Sequence, residues 1–175
     1  ISSCTQDPNA AGTWQLTQDI ASAGTCLELL ADNAILDCAG HSITGNGSGI
    51  GISAVGRKGV TIKNCILQNF TNNIFLEGTS NSFIINNTAA NASGESIKIV
   101  SNNNTVFSDN IVQSNKHHGF GSTTGYAVSH NNLFVNNFGA SESGFETSGF
   151  DLRNFINTTM LNNIGISTSN NGRGI

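Results

Sequence analysis

Apolar residues in this chain come as short alternating pairs divided by polar turns, and the pairs recur. Ile62, Ile84, Val106 and Val128 stand 22 residues apart, and Leu67, Ala89, Ile111 and Leu133 repeat at the same step. A second pair follows in each unit: Ile50 with Ile52, Ile74 with Leu76, Ile97 with Ile99, and Phe120 with Ser122. Past residue 134 the period lengthens, and Phe150/Leu152 and Ile164/Ile166 read as its continuation. Upstream, Ile35-Leu36-Asp37-Cys38 matches Ile62-Lys63-Asn64-Cys65 at a step of 27, and residues 14–33 read as one more, divergent unit.

Apolar residues at i and i+2 mark strands, since side chains alternate between the faces of a sheet. A helical repeat would place them at i, i+3 and i+4, and the framework of a leucine-rich repeat is absent. Each unit therefore holds two or three short strands separated by Asn, Gly and Ser turns. The pattern predicts an all-β parallel β-helix, a solenoid of about six to seven coils at ~22–27 residues each. The whole chain reads as a single domain, with residues 1–13 a lead-in or small cap, 14–171 the coils and 172–175 a tail.

Composition explains the turns. Asn (26), Gly (20), Ser (20) and Thr (16) make up 82 of the 175 residues. Asparagine tolerates left-handed backbone better than other non-glycine residues, so it suits tight corners. Stacked corners lie about 4.8 Å apart, close enough for asparagine ladders. Asn64, Asn86, Ser108 and His130 form one expected column; Cys65, Asn87, Asp109 and Asn131 form its neighbour. Only 10% of residues are charged and the net charge is −4, which leaves no basic footprint for nucleic acid.

No apolar run reaches the ~18 residues of a membrane span. The chain begins with Ile1 and shows no charged-then-apolar leader, so either a signal peptide has been removed or this is a fragment. Four cysteines suit an oxidising compartment. Asn-X-Ser/Thr sequons, candidate glycosylation sites, occur at Asn46, Asn69, Asn86, Asn91, Asn103 and Asn157. Together these features place the chain outside the cell or on its surface. Cys4 and Cys26 are 22 residues apart, and Cys38 and Cys65 hold equivalent places in adjacent units. Stacking would bring each pair to about 5 Å between Cα atoms, within disulfide range. The spacing predicts Cys4–Cys26 and Cys38–Cys65, with Cys26–Cys38 left open.

Catalytic chemistry is harder to find. His41 has Asp37 or Asp32 as a candidate orienting partner, but a turn role is the simpler reading. His117, His118 and His130 would hold a soft metal only by converging, which adjacent strand residues resist. Glycoside hydrolysis needs two carboxylates held about 5–10 Å apart. Here the acids are scattered: Glu77 falls near Lys98 and Asp109 loosely near Lys63, and no face collects three. Arg57, Arg153 and Arg173 read as solvated turn residues. GNGSGIGIS (45–53) resembles a phosphate loop but lacks its spacing and its helix. HExxH and GxSxG are absent. The expectation is no catalytic residue, no metal and no cofactor.

LADNAILDCAGHSITGNGSGIGI, VTIKNCILQNFTNNIFLEGTSNS and NNNTVFSDNIVQSN resemble right-handed parallel β-helix repeats of the pectate-lyase-like and NosD-type class, over roughly residues 14 to 171. The resemblance implies the right hand of the solenoid and an archaeal cell-surface setting. It transfers no catalytic residue, since that fold hosts lyases, hydrolases, adhesins and polymers.

Solenoid ends usually carry a polar cap. None is legible at the C-terminus, where Gly174-Ile175 reads as the start of another strand. Residues 1–12 could form at most a small loop cap. Two open ends suit head-to-tail stacking. The expected function is thus a structural extracellular protein that self-assembles through open β-helix ends into a sheath, filament or surface layer. Its partners would be its own copies and glycans. The rival is a carbohydrate-binding or polysaccharide-cleaving module, which would show aromatics and clustered acids on one face. The phenylalanines (Phe70, Phe75, Phe83, Phe107, Phe120, Phe134, Phe138, Phe145, Phe150, Phe155) are expected in the core or in an interface. A periplasmic metal-handling helper, the third reading, would need the three histidines together.

Overall fold

The structure is a computed structural model that describes residues 1–122, 128–142 and 147–168. Arg173, Gly174-Ile175, Phe145 and the end of the expected coil region lie outside the described residues. Three parallel sheets run the length of the stack. Sheet 1 is built from Gly12–Gln15, Ala34–Asp37, Thr61–Lys63, Phe83–Ile85, Val106–Ser108, Leu133–Val135 and Thr159–Leu161. Sheet 2 takes Ile20–Ala21, Ser42–Thr44, Ile66–Gln68, Thr88–Ala92, Ile111–Ser114, Phe138–Ser141 and Ile164–Ser167. Sheet 3 takes Leu27–Leu29, Ile50–Val55, Asn72–Glu77, Ile97–Val100, Phe120–Ser122 and Phe150–Asp151. Each coil visits the sheets in that order. Six coils are complete, and the described residues continue through sheets 1 and 2 of a seventh. The fold is the expected all-β parallel solenoid.

The register differs from a uniform 22-residue step. Ile62 pairs with Ile84, but Ile84 pairs with Phe107 and Phe107 with Phe134. An irregularity between Ala89 and Ala92 adds one residue to the fourth coil at that corner. Val106 and Ile111 consequently turn outward, Ile111 being 56% exposed. Val128 and Leu133 are not the inward successors that a constant step requires. Ile52 and Ala54, not Ile50 and Ile52, stand beside Ile74 and Leu76. Phe150 follows Phe120 as expected. Ile164 and Ile166 belong to sheet 2 and face outward beside Phe138 and Ala140.

The asparagine columns shift with the frame. Left-handed corners fall at Asn64, Asn86, Asp109, Asn136 and Asn162, each with φ between 52° and 56° apart from Asp109 at 57°. Ser108 and His130 have no place in this column, nor Asp109 and Asn131 in the buried one. The buried ladder is Cys65, Asn87, Asn110, Asn137, Asn163. Each Oδ1 accepts from the backbone N–H of the preceding rung, at 2.9 to 3.1 Å. The amides also bond one another: Asn87 Nδ2 reaches Asn110 Oδ1 at 3.0 Å, Asn110 reaches Asn137 at 2.9 Å, and Asn137 reaches Asn163 at 2.9 Å. The Nδ2 groups also donate to Ile62, Ile84, Phe107 and Phe134 carbonyls. Buried polar groups have to be paired to be tolerated, and this ladder pairs them.

Bulk is exchanged between sheets along the axis. The inward column of sheet 1 runs Leu36, Ile62, Ile84, Phe107, Phe134, Met160. That of sheet 3 runs Leu27, Ile52, Ile74, Ile97, Phe120, Phe150. As these grow to phenylalanine, the sheet 2 column shrinks through Ile43, Leu67, Ala89 and Val112 to Gly139 and Gly165. Phe107 stacks on Phe134 at 4.5 Å and Phe120 on Phe150 at 4.7 Å, and the two stacks meet edge to face. A Cβ on Gly139 would lie 2.5 Å from the Gly149 carbonyl oxygen and 2.9 Å from Phe150. The rings fill the volume that glycine vacates, as dense interiors require.

Residues 1–8 cover the N-terminal edge. Ile1 O accepts from Thr17 N, Pro8 O from Leu30 N, and Asp7 Oδ1 from Glu28 N. Cys4 is bonded to Cys26, with Cα atoms 4.5 Å apart, which ties this segment to the first coil. Cys38 and Cys65 are bonded with Cα atoms 4.7 Å apart, so the disulfide forms the first step of the column that the asparagines continue. The N-terminal end is therefore covered by a small loop segment, the cap that the lead-in allowed, and not left open, because its edge N–H groups find acceptors in the segment that precedes them.

Candidate functional site on the outer face of sheet 3

Alternation sends Glu28, Ser53, Phe75, Lys98, Gly121 and Asp151 to the outside of sheet 3 in one column. Polar side chains gather at its C-terminal end. His118, from the corner before Phe120, and Ser148, from the corner before Phe150, lie one coil apart. His118 Nδ1 lies 2.9 Å from Ser148 Oγ and accepts from Ser148 N–H at 3.1 Å. Its Nε2 lies 3.0 Å from Asp151 Oδ2. A backbone N–H can only donate, so a neutral His118 carries its proton on Nε2, facing Asp151. Arg153 reaches the same carboxylate through Nε and Nη2, at 2.5 to 2.9 Å. The strand ends at Asp151, and the turn that follows brings Arg153 back onto its carboxylate.

The second half of the cluster is Glu95, Lys98 and Asn72. Lys98 Nζ lies 3.6 Å from Glu95 Oε2, and Asn72 Nδ2 donates to the same oxygen at 3.3 Å. Gly121 separates Lys98 from Asp151, and Glu95 folds over it: a Cβ there would meet Glu95 Cγ at 2.3 Å and His118 Cβ at 3.3 Å. The backbones of Lys98 and Asp151 stand two strand spacings apart, roughly 10 Å. Each carboxylate thus has a cationic partner on a face that also offers Phe75.

Ser148, His118 and Asp151 have the composition of a hydrolytic triad, but the bonding is that of a brace. The Nδ1 lone pair that would take a proton from Ser148 Oγ already accepts the Ser148 N–H. Protonation there would set two N–H groups against each other. The arrangement orients His118 and locks two coils together.

Burial pushes the Asp151 carboxyl up, but hydrogen bonds from His118 and Arg153, together with the Arg153 charge, outweigh it and hold the group well below the usual carboxylate range. A carboxyl depressed in the folded state contributes stability above its unfolded value of about 3.9, and that contribution is lost as pH falls through the folded value. Asp37 shifts the same way: burial raises it, and Asn64, the Ala39 N–H and Lys63 together lower it further. Urea midpoints taken from pH 6 downward should therefore fall below about pH 4. Asp151→Asn should start lower at neutral pH and show a flatter acid limb; an unchanged limb would remove Asp151 from this account.

The other sequence candidates lie elsewhere. His41 Nδ1 sits 3.3 Å from Asp19, not from Asp37 or Asp32, because Asp19 stands beside the same corner one coil earlier, where it also accepts from the Ser42 N–H. Asp32 instead accepts from the Lys58 N–H. Lys63 pairs with Asp37 at 3.2 Å, and Lys98 with Glu95, in place of Asp109 and Glu77. His117 is exposed, His118 is buried, and His130 bridges to Asn103 at another corner. Among the described residues no three His, Cys, Asp or Glu side chains converge on a metal position. Phe70, Phe107, Phe120, Phe134 and Phe150 are core residues, while Phe83 is 45% exposed. No described helix is long and apolar enough to cross a membrane.

Sequence reading missed the Ser148–His118–Asp151–Arg153 cluster. The usable signal was the Asp151-Leu152-Arg153 spacing. Pairing it with His118 needed the true coil step, which the longer corners obscure.

Two solved structures are similar to the chain, and the first shares its fold. One is described as a "putative glycosyl hydrolase" from Parabacteroides merdae, with TM-score 0.54 and 13% identity over 90% of this chain and 83% of the other. Another is the catalytic domain of a GH87 α-1,3-glucanase, at TM-score 0.44 and 15% identity, covering 88% of this chain and 34% of the other. No curated protein sequence matches significantly. The sequence profile described as "Right handed beta helix region" matches residues 18–164. The chain belongs to the right-handed β-helix region family.

Proposed function

We propose that this chain is a structural extracellular β-helix that associates with its own copies to build a surface layer, sheath or filament. The supporting observation is an apolar outer flank. From Phe83 onward the outward rows of sheet 1 run Phe83, Val106, Leu133, Thr159 and Ile85, Ser108, Val135, Leu161. One outward row of sheet 2 runs Thr88, Ile111, Phe138, Ile164, and the other includes Gln113, Ala140 and Ile166. No charged residue lies within these rows, and the exposed Asp109 stands at the corner between them. Ile111, Leu161 and Ile164 are each more than half exposed. Exposed apolar side chains gathered on one flank in this way are characteristic of interaction sites. With residues 1–8 over the N-terminal edge, association runs along this flank instead of through two open ends. Two disulfides suit an oxidising location.

Sedimentation of the disulfide-intact chain across a concentration series should show growing assemblies, with filaments or sheets in negative stain. Ile111→Lys with Phe83→Glu should leave a folded monomer, because both side chains face outward. A wild-type chain that stays monomeric at high concentration would sink the proposal.

A carbohydrate-binding or polysaccharide-cleaving role is the second reading. The sheet 3 face favours it, since it sets Glu95, Asp151 and Phe75 together. Binding or release of reducing ends in a polysaccharide screen, lost in Asp151→Asn, would move the assignment there.

A further inference from the structure

Six sequons are not six equivalent acceptors. We infer that Asn46 is the N-glycan acceptor of the folded chain, the sugar being delivered from a lipid-linked oligosaccharide. This rests on the extracellular reading above. Asn46 sits in Gly45-Asn46-Gly47-Ser48-Gly49, the corner that carries the second coil from sheet 2 to sheet 3. Gly47 and Gly49 have φ of 99° and 72°, left-handed conformations that glycine adopts freely. Asn46 is exposed at its tip. Ser48 Oγ lies 2.8 Å from Asn46 Oδ1, and the Ser48 N–H donates to the same oxygen at 3.3 Å. The hydroxyl is also within 3.2 Å of the Ala23 carbonyl, at the same corner of the first coil. The sequon hydroxyl and its asparagine are thus already in contact. Both contacts are made to Oδ1, and Nδ2, the atom that takes the sugar, donates to no acceptor among the described residues.

The remaining sequons differ in one respect or another. Asn86 Nδ2 is committed to Asn64 Oδ1 at 2.9 Å, and Asn86 stands on the corner between the two apolar rows. Asn69 is half-buried, and its main-chain carbonyl accepts from the Gly47 N–H. Asn103 is half-buried, with Oδ1 accepting from His130 N. Asn91 is exposed, but its sequon hydroxyl, Ser93 Oγ, donates to Gly47 O instead. Asn157 is exposed, with no described contact to the Thr159 hydroxyl. A sugar on Asn46 leaves Phe83, Ile111 and Ile164 uncovered; one on Asn86 would stand among them.

In the transfer, Asn46 Nδ2 attacks C1 of the first sugar, the bond from C1 to the phosphate oxygen breaks, and Nδ2 gives up one proton to the transferase. The lipid leaves as its phosphate. The test uses the folded, disulfide-intact chain with an oligosaccharyltransferase for Asn-X-Ser/Thr and a lipid-linked oligosaccharide, followed by peptide mass mapping. The reduced, unfolded chain serves as the reference in which every sequon is open. Occupancy of the folded chain should be highest at Asn46, lost in Ser48→Ala and kept in Ser48→Thr. An empty Asn46 in a folded chain whose unfolded form is modified would overturn the assignment, as would equal occupancy at Asn86 or Asn103. Because the assay is carried out on purified chain, its failure is separate from failure of the association experiment.

Discussion

Asn110→Ala should cost roughly 3–6 kcal/mol of folding stability, read as a lowered urea midpoint with unchanged slope. The change strands several buried groups. The Asn87 N–H and the Asn87 Nδ2 lose the Oδ1 that both donate to, and the Ile84 carbonyl loses its Nδ2 donor. A buried group left without a partner costs about 1–3 kcal/mol, and some relaxation offsets the sum. Against a typical domain stability of about 5–15 kcal/mol this is a large fraction. Asn110→Asp keeps acceptor oxygens but sets them against the Asn137 Oδ1 and the Ile84 carbonyl, so it should be no milder. Asn163→Ala, on a half-exposed rung where water can substitute, should cost much less. Equal losses at Asn110 and Asn163 would show that burial is not what makes the ladder matter.

Phe134→Ala should lower stability by about 3–5 kcal/mol, the range for large-to-small changes at fully buried aromatics. Phe134 is completely buried, stacked on Phe107 and meeting Phe120, Phe150 and Phe155 edge-on at 5.8 to 6.3 Å. Its neighbours are held by parallel strands on both sides, and the facing column is glycine, so no nearby side chain can swing in to refill the space. Thermal melts of Phe134→Ala and Ile62→Ala, compared at the same pH, check this. A smaller loss at Phe134 than at Ile62 would mean that the rings collapse onto one another after all.

The solenoid was legible because the alternation of Ile97 with Ile99 or Ile74 with Leu76 is incompatible with a helix and recurs. The disulfides were legible for the same reason, since Cys38 and Cys65 share a position in stacked units. Individual columns were not. One additional residue near Ala92 reverses the facing of everything read at a fixed step, and side-chain period two makes such a slip total. Val106 and Phe107 are equally apolar, so composition could not say which points inward. The sheet 3 cluster was hidden more deeply, because Ser148 and His118 are neighbours only through corners whose lengths follow no repeat. The N-terminal cover was invisible to periodicity, being built from irregular backbone that matches the edge group by group.

The trade of bulk between columns bears on how such a stack can lengthen. A duplicate of the third coil would set Ile62, Leu67 and Ile74 against themselves, and like packs on like without adjustment. A duplicate of the sixth would need another glycine beside every added pair of rings, since Gly139 already lies against Gly149 and Phe150. The N-terminal half is a tile that can be copied singly. The C-terminal half is a matched set, in which sheet 1, sheet 2 and sheet 3 have to change together or not at all.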